Sequence, residues 1–114
     1  MEVVEVTVGL AVRDGAAARE WYDRLLGRPP EMEPAPGVLE YRLGATWLQL
    51  YTGEPVPGAV VRLGVRHLLP ERDCLRRLGF PVGKVETIPG VIRYLDLRDP
   101  DGNRISLYEL LNGR

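Results

Sequence analysis

The sequence predicts an α+β fold built from two tandem β-α-β-β-β modules. Three observations predict it. Val8, Leu10, Val12 and Arg13 recur as Val61, Leu63, Val65 and Arg66, an offset of 53. Leu26, Gly27 and Pro29 recur as Leu78, Gly79 and Pro81, an offset of 52, and Leu48, Leu50 and Tyr51 recur as Ile105, Leu107 and Tyr108, an offset of 57. The hydrophobic period also switches from two to helical and back, once in each half. A repeat sets the plan before any local reading, and equivalent positions of two halves tend to converge on one central cleft.

Each element has its own warrant. Val4, Val6, Val8, Leu10 and Val12 alternate with Glu5, Thr7, Gly9 and Ala11, which marks a strand with one face on a core. Asp14 fits a helix N-cap, its carboxylate accepting from first-turn N–H groups. Ala18, Trp21, Tyr22, Leu25 and Leu26 then form an apolar helical stripe. Arg24 suits the negative end of the helix dipole, Gly27 fits the C′ position, and Pro29-Pro30 forbids continuation. Glu31 to Gly37 is Pro-rich and reads as a short edge strand or a loop. Val38 to Leu43 and Thr46 to Tyr51 are strands around a tight Gly44-Ala45 turn. Pro55 and Pro57 mark the connector between the halves.

The second half repeats the order. Ala59 to Arg66 is a strand with Val61, Leu63 and Val65 on the core side. Pro70 and Glu71 suit a first helical turn, Cys74, Leu75 and Leu78 give a short stripe, and Gly79 ends the helix. Val82 to Ile88 and Val91 to Leu97 are strands. Asp99-Pro100-Asp101-Gly102-Asn103 is a turn, and Arg104 to Leu111 is the last strand, with Asn112 to Arg114 fraying. The chain is read as one domain, 1–114, with module one at about 3–52, a connector at about 53–58 and module two at about 59–111.

Bulk properties narrow the function. A chain of 114 residues closes one modest core, and halves of about 50 residues must pack together or exchange partners in a dimer. A net charge of −1 argues against nucleic acid as the main partner. No apolar run reaches a membrane span, and Met1-Glu2-Val3 opens no signal peptide. Cys74 is the single cysteine, which fits a reducing cytoplasm. The single His67 excludes any one-chain site built on two histidines. No phosphate loop, CxxC or dinucleotide fingerprint is present. Lys84 is the only lysine; this Arg-rich composition is read as a mark of genome or habitat, which fits a bacterial chain.

The doubled unit closing on Asp99-Pro100-Asp101-Gly102-Asn103-Arg104-Ile105 resembles the vicinal oxygen chelate superfamily. That group includes glyoxalase I, extradiol dioxygenases, fosfomycin-resistance transferases and bleomycin-resistance proteins. The opening Val8-Gly9-Leu10-Ala11-Val12-Arg13-Asp14 and the helix end Trp21-Tyr22-Asp23-Arg24-Leu25-Leu26-Gly27 carry the same likeness, which runs from Val4 to Leu110. The resemblance implies mixed sheets that form half-barrels around a cleft. In the family's enzymes a divalent metal sits there, held by one residue from the first strand and one from the last strand of each half, usually His or Glu. Carried onto this chain, those positions fall on Thr7, Gln49, Val60 and Ser106. Val has no donor atom, and neutral Thr, Gln and Ser oxygens substitute poorly for imidazole or carboxylate. A one-residue register shift would bring Val6 or Val8, Leu48 or Leu50, Ala59 or Val61, and Ile105 or Leu107 into place, a poorer set still. Neither a metal nor another cofactor is expected.

Alternation assigns what lines the cleft instead. The first strand offers Glu5, Gly9 and Ala11, and the fifth Arg62 and Gly64. The third offers Glu40 and Arg42, with Leu39, Tyr41 and Leu43 on the helix side. The expected ligand-binding residues are Thr7, Arg42, Trp47, Gln49, Tyr51, Arg62, Arg104, Ser106 and Tyr108. Aromatic rings to stack and guanidinium groups to pair suit a planar or anionic organic molecule, with Gly9, Ala11 and Gly64 leaving room at the floor. A competing reading places Trp47 and Tyr108 in a core or dimer interface, and Arg42, Arg62 and Arg104 on a solvated face paired with Glu5 or Glu40. His67 takes a surface or capping role, Cys74 is a small buried hydrophobe, and Glu109 faces away from the cleft. The missing metal donors point to a metal-free protein that sequesters a small organic molecule, as bleomycin-resistance proteins do; the lone cysteine points to the cytoplasm, and the resemblance implies a homodimer. The alternatives are a superfamily lyase, isomerase or dioxygenase with an atypical site that relies on Glu5 or Glu40, and a module whose aromatic face serves only dimer packing.

Overall fold

The computed structural model describes residues 1–113 and divides into two compact units, Met1–Ala59 and Val60–Arg114. In the first, the predicted alternation forms β1 (Val6–Val12), followed by α1 (Gly15–Leu26), β2 (Met32–Ala35), β3 (Val38–Leu43) and β4 (Thr46–Thr52). The sheet order is β1-β4-β3-β2. β1 runs parallel to β4 and the other pairs are antiparallel. Asp14 caps α1 by accepting from the Ala16 and Ala17 N–H groups at 3.0 and 3.1 Å. Gly27 closes the helix at φ 74°, its N–H reaching the Asp23 carbonyl. This left-handed backbone is open to glycine without the Cβ penalty.

One face of this sheet is buried under α1. Leu39, Tyr41, Leu48, Leu50 and Tyr22 are all within 5 % of full burial. Each strand alternates, so the residues between them form the opposite face.

The second unit repeats the plan with β5 (Val60–Gly64), α2 (Leu68–Arg77), β6 (Glu86–Ile88), β7 (Ile92–Arg98) and β8 (Arg104–Leu110), in sheet order β5-β8-β7-β6. Again β5 is parallel to β8 and the other pairs are antiparallel. Leu68, Leu75, Leu95, Leu97, Ile105 and Leu107 make its core. Two mixed four-stranded sheets, each with one helix, are thus the predicted doubled β-α-β-β-β plan. Among the described residues no helix is long and apolar enough to cross a membrane.

Local expectations are corrected in four places. Glu5 precedes β1 rather than belonging to it. The strand expected from Val82 shrinks to Glu86–Ile88. Gly83 passes so close to β7 that a Cβ there would lie 3.3 Å from the Asp96 carbonyl oxygen, so the chain approaches the sheet without joining its ladder. Cys74 is exposed rather than buried. α2 is held by Leu68 and Leu75; Cys74 lies one residue off that line, and Leu78, just beyond the helix, is 46 % exposed. His67 occupies the N-cap of α2 but makes no side-chain cap bond. Glu109 takes that role from β8, its Oε1 accepting from the Leu68 N–H at 2.8 Å. This places Glu109 on the helix side of the sheet, as expected. The expected fraying at the C-terminus falls partly on Arg114, which lies outside the described residues.

Candidate functional site

Strand register sets out the helix-free faces as rows. In module one the rows are Thr7–Trp47–Arg42, Gly9–Gln49–Glu40 and Ala11–Tyr51–Val38. In module two they are Val60–Arg104–Arg98, Arg62–Ser106–Asp96 and Gly64–Tyr108–Tyr94. Row for row, first strands differ by 53 and last strands by 57, the offsets found in the sequence. Third strands differ by 56, which pairs Glu40 with Asp96 and Arg42 with Arg98.

All of the expected residues lie on these faces. Thr7, Arg42, Trp47, Gln49 and Tyr51 stand on β1, β3 and β4 of module one, and Arg62, Arg104, Ser106 and Tyr108 on β5 and β8 of module two. In module one Arg42 and Gln49 are satisfied locally. The Arg42 guanidinium sits 5.5 Å from the Trp47 ring centroid, and its Nε donates to the Gly44 carbonyl. The Arg42 N–H donates to Glu31 at 2.7 Å, and this bond is the main cause that holds the Glu31 carboxyl below its ordinary range. Arg28 ties the same corner together, paired with Glu31 and donating to the Arg42 carbonyl. Gln49 Nε2 donates to Glu40 at 2.9 Å. Thr7 is exposed and Tyr51 is 38 % exposed.

Module two is different at the equivalent positions. Asp96 and Ser106 replace Glu40 and Gln49 with shorter side chains, and no hydrogen bond joins them. Ser106 is fully buried, and its Oγ, Asp96 Oδ1 and Arg104 Nε have no hydrogen-bond partner among the described residues. The Arg104–Asp96 ion pair spans 4.0 Å. Arg62 is exposed beside them. Buried polar atoms without partners are uncommon and destabilising, so this row is where the face departs from what folding alone would favour.

The expected floor space is occupied. A Cβ on Gly64 would lie 3.0 Å from both Cζ and Oη of Tyr108, and one on Gly9 would lie 3.3 Å from Tyr51 Cε1. The two tyrosine rings lie across the glycines rather than leaving them open. Replacing Gly64 by Val should therefore displace the Tyr108 ring and cost about 1 kcal/mol, the low end of overpacking, because Gly64 is exposed and the contact is with the far end of a flexible side chain. Urea denaturation checks this, and an unchanged midpoint would refute the packing role.

At the end of this row a cavity of about 520 Å³ is bounded by Gly64, Val65, Arg66, His67, Tyr108 and Leu110. Three residues on this part of the molecule are ones that the sequence reading does not single out. A surface or capping role for His67 does not place it beside a cavity. The spacing assigns no face to Tyr94, yet Tyr94 pairs with Tyr108, while Arg93 pairs with Glu109 on the helix side at 3.8 Å. Asp96 carries no signal in a comparison of first and last strands.

Thr7, Gln49, Val60 and Ser106 occupy the first and last strands as the resemblance places them. Their donor set, an apolar side chain and three neutral oxygens, does not fit a divalent metal. Among the described residues no group of three or more His, Cys, Asp or Glu side chains is arranged to hold one.

No protein-family model and no curated protein matches the chain. Solved structures do. A glyoxalase / bleomycin resistance protein from Catenulispora acidiphila is 28 % identical, with 95 % of this chain and 99 % of that chain covered and a TM-score of 0.84. A lactoylglutathione lyase from Agrobacterium tumefaciens is 16 % identical, covers 91 % of each chain and has a TM-score of 0.78. A glyoxalase-related enzyme from Clostridium phytofermentans is 15 % identical, covers 96 % and 97 %, and has a TM-score of 0.78. The chain therefore has the fold of glyoxalase and bleomycin-resistance proteins, and the likeness to the Catenulispora protein supports the vicinal oxygen chelate superfamily.

Proposed function

We propose that the protein binds a small organic molecule on the helix-free faces of its sheets, without a metal, and sequesters it as a homodimer. One observation carries the reading. The positions from which the family's enzymes would grip a metal hold Thr7, Gln49, Val60 and Ser106, while the same faces present Trp47, Tyr51 and Tyr108 with Arg42, Arg62 and Arg104. Rings and guanidinium groups recognise flat or anionic organic molecules. Likeness to the Catenulispora glyoxalase / bleomycin resistance protein supports the same reading by analogy. The enzyme reading draws no support from its two acids, since Glu5 precedes β1 and Glu40 is hydrogen-bonded to Gln49.

A native mass spectrum of freshly purified protein tests the proposal. The expected result is a dimer carrying an organic mass and no metal. One divalent ion per chain would sink it.

A further inference from the structure

We infer that the cavity at the end of β5 holds the carboxylate of a small organic monoanion, bound by Arg66, His67 and Tyr108. This names a site and a ligand class for the binding role proposed above and rests on that role. Arg66 and His67 match Arg13 and Asp14 of module one at the offset of 53, and Leu111 matches Glu54 at the offset of 57. In module one both polar groups are engaged: Arg13 pairs with Glu54 at 3.2 Å, and the Asp14 carboxylate caps α1. In module two an apolar Leu111 stands where the counter-ion would be, and Glu109, not His67, accepts from the first N–H of α2. Among the described residues the Arg66 guanidinium, the His67 imidazole and the Tyr108 hydroxyl make no hydrogen bond or ion pair.

These three side chains meet at one space that a ligand can enter. All line the cavity of about 520 Å³, a size within the range of small-molecule pockets. Arg66 and His67 are exposed and Tyr108 is half-buried, so the cavity is open to solvent. The backbone that carries Arg66 and His67 is pinned to β8 on both sides. The Val65 N–H donates to the Tyr108 carbonyl and the Leu68 N–H to Glu109, both at 2.8 Å. Tyr108 Oη reaches across to β5, 3.0 Å from where a Gly64 Cβ would lie. Among the described residues no acid lines the cavity, and Glu109 is turned to α2 and Arg93. One guanidinium fork balances one negative charge and matches the two oxygens of a carboxylate, and an imidazole N–H and a phenol O–H add donors beside it. Val65, Leu110 and the Tyr108 ring supply apolar wall, so the anion carries a hydrocarbon body.

The test is titration of the isotopically labelled full-length protein with phenylacetate, with phenylacetamide, which has the same shape without the charge, and with acetate, which lacks the ring. Amide shifts in nuclear magnetic resonance spectra report affinity and place. Phenylacetate should bind about tenfold more tightly than phenylacetamide, the effect of one charge-assisted hydrogen bond, with shifts at residues 64–68 and 108–110, and acetate should bind more weakly than phenylacetate. Arg66→Gln should abolish the preference for the acid over the amide, and Tyr108→Phe should reduce it. Arg77→Gln, which removes the same charge from the exposed end of α2, should leave it unchanged. Equal binding of the acid and the amide, acetate binding as tightly as phenylacetate, no binding of phenylacetate, shifts confined to other residues, or a preference that survives Arg66→Gln or is lost in Arg77→Gln overturns the inference. Should that happen while the purified protein still carries an organic mass and no metal, the binding role stands and only this site and ligand class fall.

Discussion

Replacing Asp99 by Ala should lower the unfolding free energy by about 3 kcal/mol, because the loss leaves buried donors unpaired. Asp99 and Asn103 are 5 % and 3 % exposed. Asp99 Oδ1 accepts from the N–H groups of Asp101 and Asn103, both at 2.9 Å, and its Oδ2 accepts from Asn103 Nδ2 at 2.9 Å. The backbone closes the same turn, with the Asp99 N–H donating to the Asn103 carbonyl and the Gly102 N–H to the Asp99 carbonyl. Gly102 holds φ at 84°, a conformation that favours glycine. A carboxylate is the side chain that accepts at both oxygens. Asp99→Asn should cost less, since one oxygen still serves the two backbone donors, but its amide meets the Asn103 amide donor to donor. Urea unfolding of both variants checks the ranking. An Ala variant within about 0.5 kcal/mol of the parent would show that the turn does not need its side chain.

The consequence reaches the candidate site. This turn joins β7 to β8, whose register brings Asp96 opposite Ser106 and Tyr94 opposite Tyr108. A hairpin that slips by one residue turns every side chain to the other face. The Asp99 variant should thus loosen module two's polar row before it affects module one.

How far that row is legible in the sequence depends on which strands are compared. The repeats Val8/Val61 and Leu48/Ile105 predict equivalent first and last strands in the two modules; the structure pairs them in parallel as β1–β4 and β5–β8 and buries Leu48 and Ile105, while Val8 stays 38 % exposed. The third strands carry an equally plain signal: Leu39, Glu40 and Arg42 match Leu95, Asp96 and Arg98 at an offset of 56. Matching them assigns Asp96 and Tyr94 to the helix-free face. What no comparison of letters contains is where a flexible ring settles. Small residues at Gly9 and Gly64 read as empty floor, yet a bare backbone is also a favourable place for a neighbouring ring to lie, and Tyr51 and Tyr108 do so. Likewise Cys74 sits on an apolar stripe by spacing, but a helix of 10 residues anchored at Leu68 and Leu75 buries a narrower line than its sequence offers. Periodicity predicts faces well; the width of a buried contact depends on the partner surface.

The second large effect concerns Tyr41, whose contribution to stability should change only at alkaline pH. Tyr41 is fully buried beneath α1, near the Tyr22 ring, and its hydroxyl donates to Asp23 Oδ1 at 2.8 Å. Burial first, and the Asp23 carboxylate second, push its pKa far above that of a free phenol. The unfolded chain releases this proton near pH ~10, whereas the folded chain keeps it. The unfolded state then binds fewer protons, so stability falls as pH rises. The contribution is fully present below about pH 10 and declines above it by about 1.4 kcal/mol per pH unit. Tyr41→Phe removes the phenol from both states. At neutral pH the variant should be less stable by about 1 kcal/mol, the value of one hydrogen bond to a charged acceptor that water can partly replace. Its deficit should shrink above about pH 10 and vanish near pH ~11, because only the parent carries the deprotonation penalty. Contributions from every other titrating group cancel in the difference between the two proteins. Urea midpoints measured from about pH 7 to about 11 read that difference directly, and a gap that stays constant across the range would mean that Tyr41 does not hold its proton. The phenol is therefore a proton-linked clasp between α1 and β3, set on the side of the sheet opposite Glu40 and Arg42.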